Sequence, residues 1–211
     1  MMRTLTLFCF LSACSAAKPS LAPRREVRAI PICVVNDADA LVPQDIVLSS
    51  LAAMSDEYEA RVGIRFIRPD VQVLTAFEPS GWPMDVAFFL RERCPEEAEV
   101  RFVFTNRFVR PKDASMTAQG DGGQMAGDAH PYYGFVIAYS AEERWNAMDG
   151  SGGRALVGTL KHEVGHLFGL EHDPDRRSFM YESSGASLGQ WTDDAVQKIR
   201  AARWKRWWPR A

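Results

Sequence analysis

From Val27 onward, short apolar runs alternate with stretches whose apolar residues recur at helical spacing. "VRAIPICVV" (27–35) concentrates branched apolar residues as a strand does. Pro31 cannot donate to a ladder, and so weakens the strand or places it at a sheet edge. "PQDIVLSSLAAMSDEYEARV" (43–62) spaces Ile46, Leu48, Leu51, Met54 and Tyr58 at roughly helical intervals, with Pro43 at its start. "GIRFIRPDVQVL" alternates like a strand interrupted at Pro69. A shorter helix over "MDVAFFLRERC" and strands over "EVRFVFTN" and "YYGFVIAYS" follow, with a glycine-rich stretch from Arg110 to Pro131 between those two strands. "RALVGTLKHEVGHLFGL" keeps the helical period through Leu156, Leu160, Val164, Leu167 and Phe168. The last helix is "WTDDAVQKIRAARW", with Thr192 as N-cap and two aspartates in its first turn. Strands and helices mix over one domain, residues 27–211, and no linker divides it.

The first 26 residues follow another plan. Arg3, the apolar run Leu5 to Leu11 and the small residues after it have the layout of a secretory signal over residues 1–13. Leu11-Ser12-Ala13-Cys14 is similar to a bacterial lipobox, in which the cysteine is lipidated and becomes the new N-terminus. The expectation is export, with a membrane anchor through Cys14 and a localisation at a bacterial membrane or cell surface. An ordinary signal cleaved nearby would make the protein secreted instead. Residues 14–26 read as a tether.

Composition narrows the function classes. Lys and Arg number 25 against 27 Asp and Glu, so there is no basic excess and no nucleic-acid partner is expected. Beyond the signal, two cysteines remain, Cys33 and Cys94. In an exported domain they are candidates for a disulfide; two buried thiols are the alternative.

The chain has four histidines, and three fall within "HEVGHLFGLEH", residues 162–172. Four residues along a helix turn the chain by roughly 400°, so His162 and His166 lie about 40° apart on one face, one turn apart. Two imidazoles there can share a metal ion. Glu163 lies beside them but faces differently, which suits a proton-accepting base rather than a ligand. On a continuing helix His172 would point roughly 80° away from His162 and stand about 9 Å beyond His166. Gly169 can adopt the left-handed conformation that ends a helix and returns the chain. Three histidines then leave one position open on a tetrahedral zinc.

The run HExxHxxGxxH resembles the signature of the metzincin zinc peptidases. "SFMYES" places Met180 eight residues after His172, where metzincins carry the methionine of their Met-turn. The short interval, the pair Met180-Tyr181, and "DGGQMAGDAHPYYGFVIAYSAEERW" with Glu142 and Trp145 are most similar to the matrixins. The resemblance spans roughly Asp121 to Trp204. It implies an α+β (α/β sandwich) zincin-like domain: a twisted mixed sheet, an antiparallel edge strand, an active-site helix and a small C-terminal subdomain. It implies one catalytic Zn2+ on His162, His166 and His172, with Glu163 as catalytic base and Gly169 and Met180 as structural residues. Met125, Ala126 and Gly127 would offer backbone groups of the edge strand to an extended peptide. Gly127 also stands where matrixins place a histidine of a second, structural zinc, and no histidine precedes it. His130 is read as a surface or substrate-facing residue.

The resulting expectation is a monomeric zinc-dependent endopeptidase acting on peptide or protein substrates. The alternative is a non-catalytic or single-substrate zinc-fold binding protein at the cell surface. Three weaker readings accompany it. Asp121 and Asp128 offer carboxylates for Ca2+, although acidic glycine-rich loops are also ordinary solvated turns. Asp173 is expected to stabilise the turn after the third histidine or to support a ligand. In "ARWKRWWPRA", Trp204 is expected to pack on the domain with a frayed end beyond it; contact with a membrane surface is the alternative.

Overall fold

The computed structural model describes residues 26–37, 42–67, 71–74, 83–105, 127–139, 152–182 and 189–207. The signal, Cys14 and the tether up to residue 25 lie outside them, as do Asp121, Met125, Ala126, Glu142 and Trp145. Among the described residues no helix is long and apolar enough to cross a membrane.

Among the described residues six strands form the sheet: β1 (Arg28–Asp37), β2 (Ile64–Ile67), β3 (Val71–Leu74), β4 (Val100–Thr105), β5 (Gly127–His130) and β6 (Phe135–Tyr139). Their order is β2-β1-β4-β6-β5, with β3 also on β1, and every pairing is parallel except β5 on β6. The sheet is therefore mixed, with an antiparallel strand at one end. Among the described residues four helices accompany it: α1 (Gln44–Val62), α2 (Pro83–Arg93), α3 (Gly152–Leu167) and α4 (Asp193–Ala202).

Parallel strands are covered on both faces, and the period-2 alternation shows it. Ile30, Ile32 and Val34 of β1 join Phe102 and Phe104 of β4 in a core shared with α1, α3 and α4. Cys33 and Val35 turn the other way, towards Val86, Ala87 and Leu90 of α2. A disulfide joins Cys33 to Cys94, just past the end of α2, and so fixes that helix to the sheet.

Pro31 requires a correction. It lies in an interior strand, because β1 has β4 on one side and β2 then β3 on the other. The missing N–H is tolerated where β1 changes neighbours: pairing with β2 ends at Pro31, and pairing with β4 begins at Ile32. The strand interrupted at Pro69 is two strands, β2 and β3, each on a different half of β1. In α1 the buried stripe is Val47, Leu51, Met54, Tyr58 and Val62, so Ile46 and Leu48 flank it. Thr192 caps α4 by accepting the Ala195 N–H.

The tail differs from expectation as well. Trp204 is exposed and Trp207 is buried. Trp207 packs edge-on against Phe168, and its Nε1–H donates to the Leu167 carbonyl at 3.1 Å. Lys205 donates to the same carbonyl at 2.9 Å. Arg28 holds the tail at Arg203 and Lys205 by their carbonyls and pairs with Glu99. A group near the α3 terminus, with carbonyls to satisfy, thus binds the tail three residues later than Trp204.

Candidate metal centre

From Leu156 to Leu167 helix α3 is buried almost all round, with Leu156, Leu160, Val164 and Leu167 in the core. Its end is a complete Schellman arrangement: Leu170 N–H donates to the Gly165 carbonyl and Gly169 N–H to the His166 carbonyl. Gly169 has φ +87°, in the left-handed region, and nothing crowds it. The chain turns back there and delivers His172 to the two helical histidines.

The three imidazoles converge. His166 Nε2 stands 3.1 Å from His162 Nε2 and 3.2 Å from His172 Nε2. The opposite nitrogens settle their protonation. His162 Nδ1–H donates to the Phe179 carbonyl at 2.8 Å, and His166 Nδ1–H to the Leu170 carbonyl at 2.7 Å. A carbonyl only accepts, so in the neutral rings both Nε2 atoms carry lone pairs. Facing lone pairs repel, and a cation between them removes the conflict. A tetrahedral zinc with ligands at about 2.0–2.1 Å sets its nitrogens roughly 3.3 Å apart, close to the spacing found. Zinc fits this donor set. Burial pulls the His162 pKa down to about 4, with His166 and His172 pushing in the same direction and the Phe179 carbonyl opposing. His172 is exposed, so the site opens to solvent on that side. Among the described residues, this is the group of histidine, cysteine and acidic side chains placed to hold a metal.

Glu163 is 7% exposed and projects against β5. A Cβ at position 127 would overlap its Cγ and Oε1, so a side chain there would displace the Glu163 carboxylate. Of the three backbone positions assigned to substrate, Gly127 lies in this strand, Gly127–His130; Met125 and Ala126 lie outside the described residues. Asp128 contributes its backbone to β5, paired with Ile137. His130 is half-buried with its ring centroid 4.5 Å from that of Phe135.

The segment between His172 and Met180 is held by local polar contacts. Asp173 N–H donates to the Met180 carbonyl, and the Asp173 carboxylate accepts Asp175 N–H, both at 2.9 Å. This is the turn-stabilising role for Asp173. Met180 is 2% exposed, and its Sδ occupies the space beside Gly165 where a Cβ would sit. A methionine under the helical ligands and a glycine within the HExxH run are thus one packing unit.

Residues absent from the sequence reading also bear on the site. Lys161, next to His162, is 1% exposed. It pairs with Glu57 at 3.2 Å and donates to the Gly189 carbonyl at 3.1 Å. A lone lysine in an amphipathic helix reads as solvent-facing, so spacing gave no signal for it.

Residues 56–201 match the family model described as Matrixin. Among solved structures, a zinc-dependent peptidase from Methanocorpusculum labreanum is similar at 18% identity and TM-score 0.52, covering 80% of this chain and 99% of that one. Archaemetzincin from Methanopyrus kandleri is similar at 16% identity and TM-score 0.53, covering 87% and 99%. Metalloproteinase-II from Bacteroides fragilis gives 11% identity and TM-score 0.55, covering 85% and 55%. At these identities the likeness is one of fold. A search of curated proteins finds no match. The family match spans more than half of the chain, including the helix, the return at Gly169 and Met180; the chain belongs to the matrixin family of metzincin-like zinc metallopeptidases.

Proposed function

We propose that the protein is an endopeptidase in which His162, His166 and His172 hold one zinc ion and Glu163 carries the proton. The observation behind this reading is the convergence of three Nε2 atoms beside a buried carboxylate that touches the sheet's antiparallel edge. When bound, zinc supplies Lewis acidity that acidifies water and polarises a carbonyl oxygen. Glu163 accepts the proton of the attacking water at its carboxylate and delivers it to the leaving amine nitrogen. The outer side of β5, at the end of the described strand order, pairs with the substrate backbone as an added antiparallel strand, which favours an extended peptide with residues on both sides of the cut. The Nδ1–H bonds to Phe179 and Leu170 hold the two helical imidazoles in the tautomer that turns Nε2 to the metal.

The enzyme works outside the cytoplasm, exported by the N-terminal segment and retained at the membrane through Cys14. The Cys33–Cys94 disulfide supports an oxidising compartment.

The test is cleavage of a proteome-derived peptide library by the protein, read by mass spectrometry beside Glu163→Ala. Internal cuts made by the wild type, lost with a chelator and lost in a zinc-loaded Glu163→Ala variant are the expected result. A fully active variant would refute the role of Glu163. Terminal trimming alone would refute the endopeptidase reading. Silence from folded, zinc-loaded wild type across the library would favour a protein dedicated to one partner.

A further inference from the structure

We propose that Lys161 is a positioning residue of the metal site, which fixes the carbonyl that orients His162 by clamping the segment Gly189–Gln190 against Phe179. The proposal rests on the reading of the three histidines as zinc ligands.

The route is short. His162 Nδ1–H donates to the Phe179 carbonyl at 2.8 Å. Phe179 lies on one segment, packed against the helix at Gly165, and Gly189–Gln190 is a second. The two segments meet through an isolated bridge, Ser178 to Gln190, and Phe179 N–H donates to the Gln190 carbonyl at 3.1 Å. Gly189 lies directly on the Phe179 backbone, since a Cβ there would overlap the Phe179 Cα and N. Any shift of Gly189 is thereby transmitted to the peptide that carries the Phe179 carbonyl.

Lys161 controls that shift. From α3 its ammonium donates to the Gly189 carbonyl at 3.1 Å and to Glu57 Oε2 of α1 at 3.2 Å, and it stands 5.5 Å from the centroid of the Phe179 ring. Trp191, two residues past Gly189, donates its Nε1–H to the same Glu57 oxygen at 3.0 Å, and its ring lies 4.6 Å from that of Phe179. Tyr58, beside Glu57 on α1, donates its hydroxyl to the Lys161 carbonyl at 2.9 Å. The lysine is 1% exposed, and a buried charge is retained only with close partners. An apolar side chain would fill the same volume between α1 and α3. The ammonium does what an apolar group cannot: it grips a backbone carbonyl on a segment that belongs to neither helix. Residues supporting a ligand in this way typically alter metal affinity by about 10–100-fold when removed.

The experiment compares the full chain with Lys161→Met, which keeps the length and removes the grip, and with Glu57→Gln, which weakens the clamp from its other end. Folding is followed by circular dichroism, zinc affinity by competition with a chromophoric chelator, and the His162 Nδ1 proton of the metal-free protein by NMR solvent exchange. The expected result is folded Lys161→Met with zinc binding weakened at least about 10-fold and a faster-exchanging Nδ1 proton. Glu57→Gln is expected to shift both in the same direction by a smaller factor, and it carries the test if Lys161→Met does not fold. Folded variants with zinc affinity within about twofold of wild type and an equally protected Nδ1 proton would overturn the proposal. Wild type that binds no zinc would instead sink the metal-site reading, and the Nδ1 proton of metal-free protein would still decide the role of Lys161.

Discussion

The metal centre is built by two unlike regions. His162 and His166 stand on α3, a helix whose neighbours on nearly every side are apolar core. His172 and Met180 stand on a segment with little regular structure, held by Asx turns, one bridge and a few backbone hydrogen bonds. On the helix, the 3.6-residue period and the surrounding core fix where two ligands leave the backbone, and only the final ring orientation is left to the Nδ1–H bonds to Phe179 and Leu170. On the loop, each direction depends on a particular donor and acceptor. The helical half is therefore preorganised by the fold, and the loop half is where small changes reach the site.

The largest effect expected on the helical side is a response to pH. In metal-free protein, burial lowers the His162 pKa to about 4 from its ordinary 6.5. Between those values the unfolded chain binds the proton and the folded chain does not. Stability is then lost as pH falls from about 6.5 to about 4, by about 3 kcal/mol, and no further below that on account of this group. Denaturation midpoints of metal-free protein across that window check it, with His162→Gln as the control that should flatten the slope.

The junction with the edge strand gives the next prediction. Gly127→Ala forces the Glu163 side chain from its seat without touching a histidine. Turnover should fall by about 100-fold, the cost of misplacing a reacting group by roughly an ångström, while zinc content is kept. Steady-state rates beside metal analysis of the same preparation distinguish this from loss of the metal.

The smallest effect in stability lies at the hinge between the regions. Gly169→Ala meets no neighbour but places a side chain at φ +87°. About 1–2 kcal/mol of stability should be lost. If the loop is the sensitive half, zinc affinity should fall more steeply than thermal stability. Equal losses in the two, measured by calorimetry and chelator competition, would remove the contrast between helix and loop.

How much of this the sequence carries follows the same division. The period of α3, the capping threonine of α4 and the left-handed Gly169 are local signals, legible because propensity and structure agree. The edge strand was legible only through resemblance, and Gly127 lies in it, with Met125 and Ala126 outside the described residues. Pro31 misled because local chemistry gave no sign that β1 changes neighbours there. Trp204 misled because three tryptophans in a short tail are equally apolar; only the position of the Leu167 carbonyl selects Trp207. Lys161 and Glu57 are separated by 104 residues, and no local pattern could have joined them.

The central claim is that helix and loop together supply three imidazoles to one ion. X-ray absorption at the zinc edge of the loaded protein, beside His172→Ala, tests it most directly. Three imidazole nitrogens at about 2.0–2.1 Å, falling to two in the variant, are the predicted result. A wild-type spectrum with sulfur in the shell, or one that His172→Ala leaves unchanged, would contradict it.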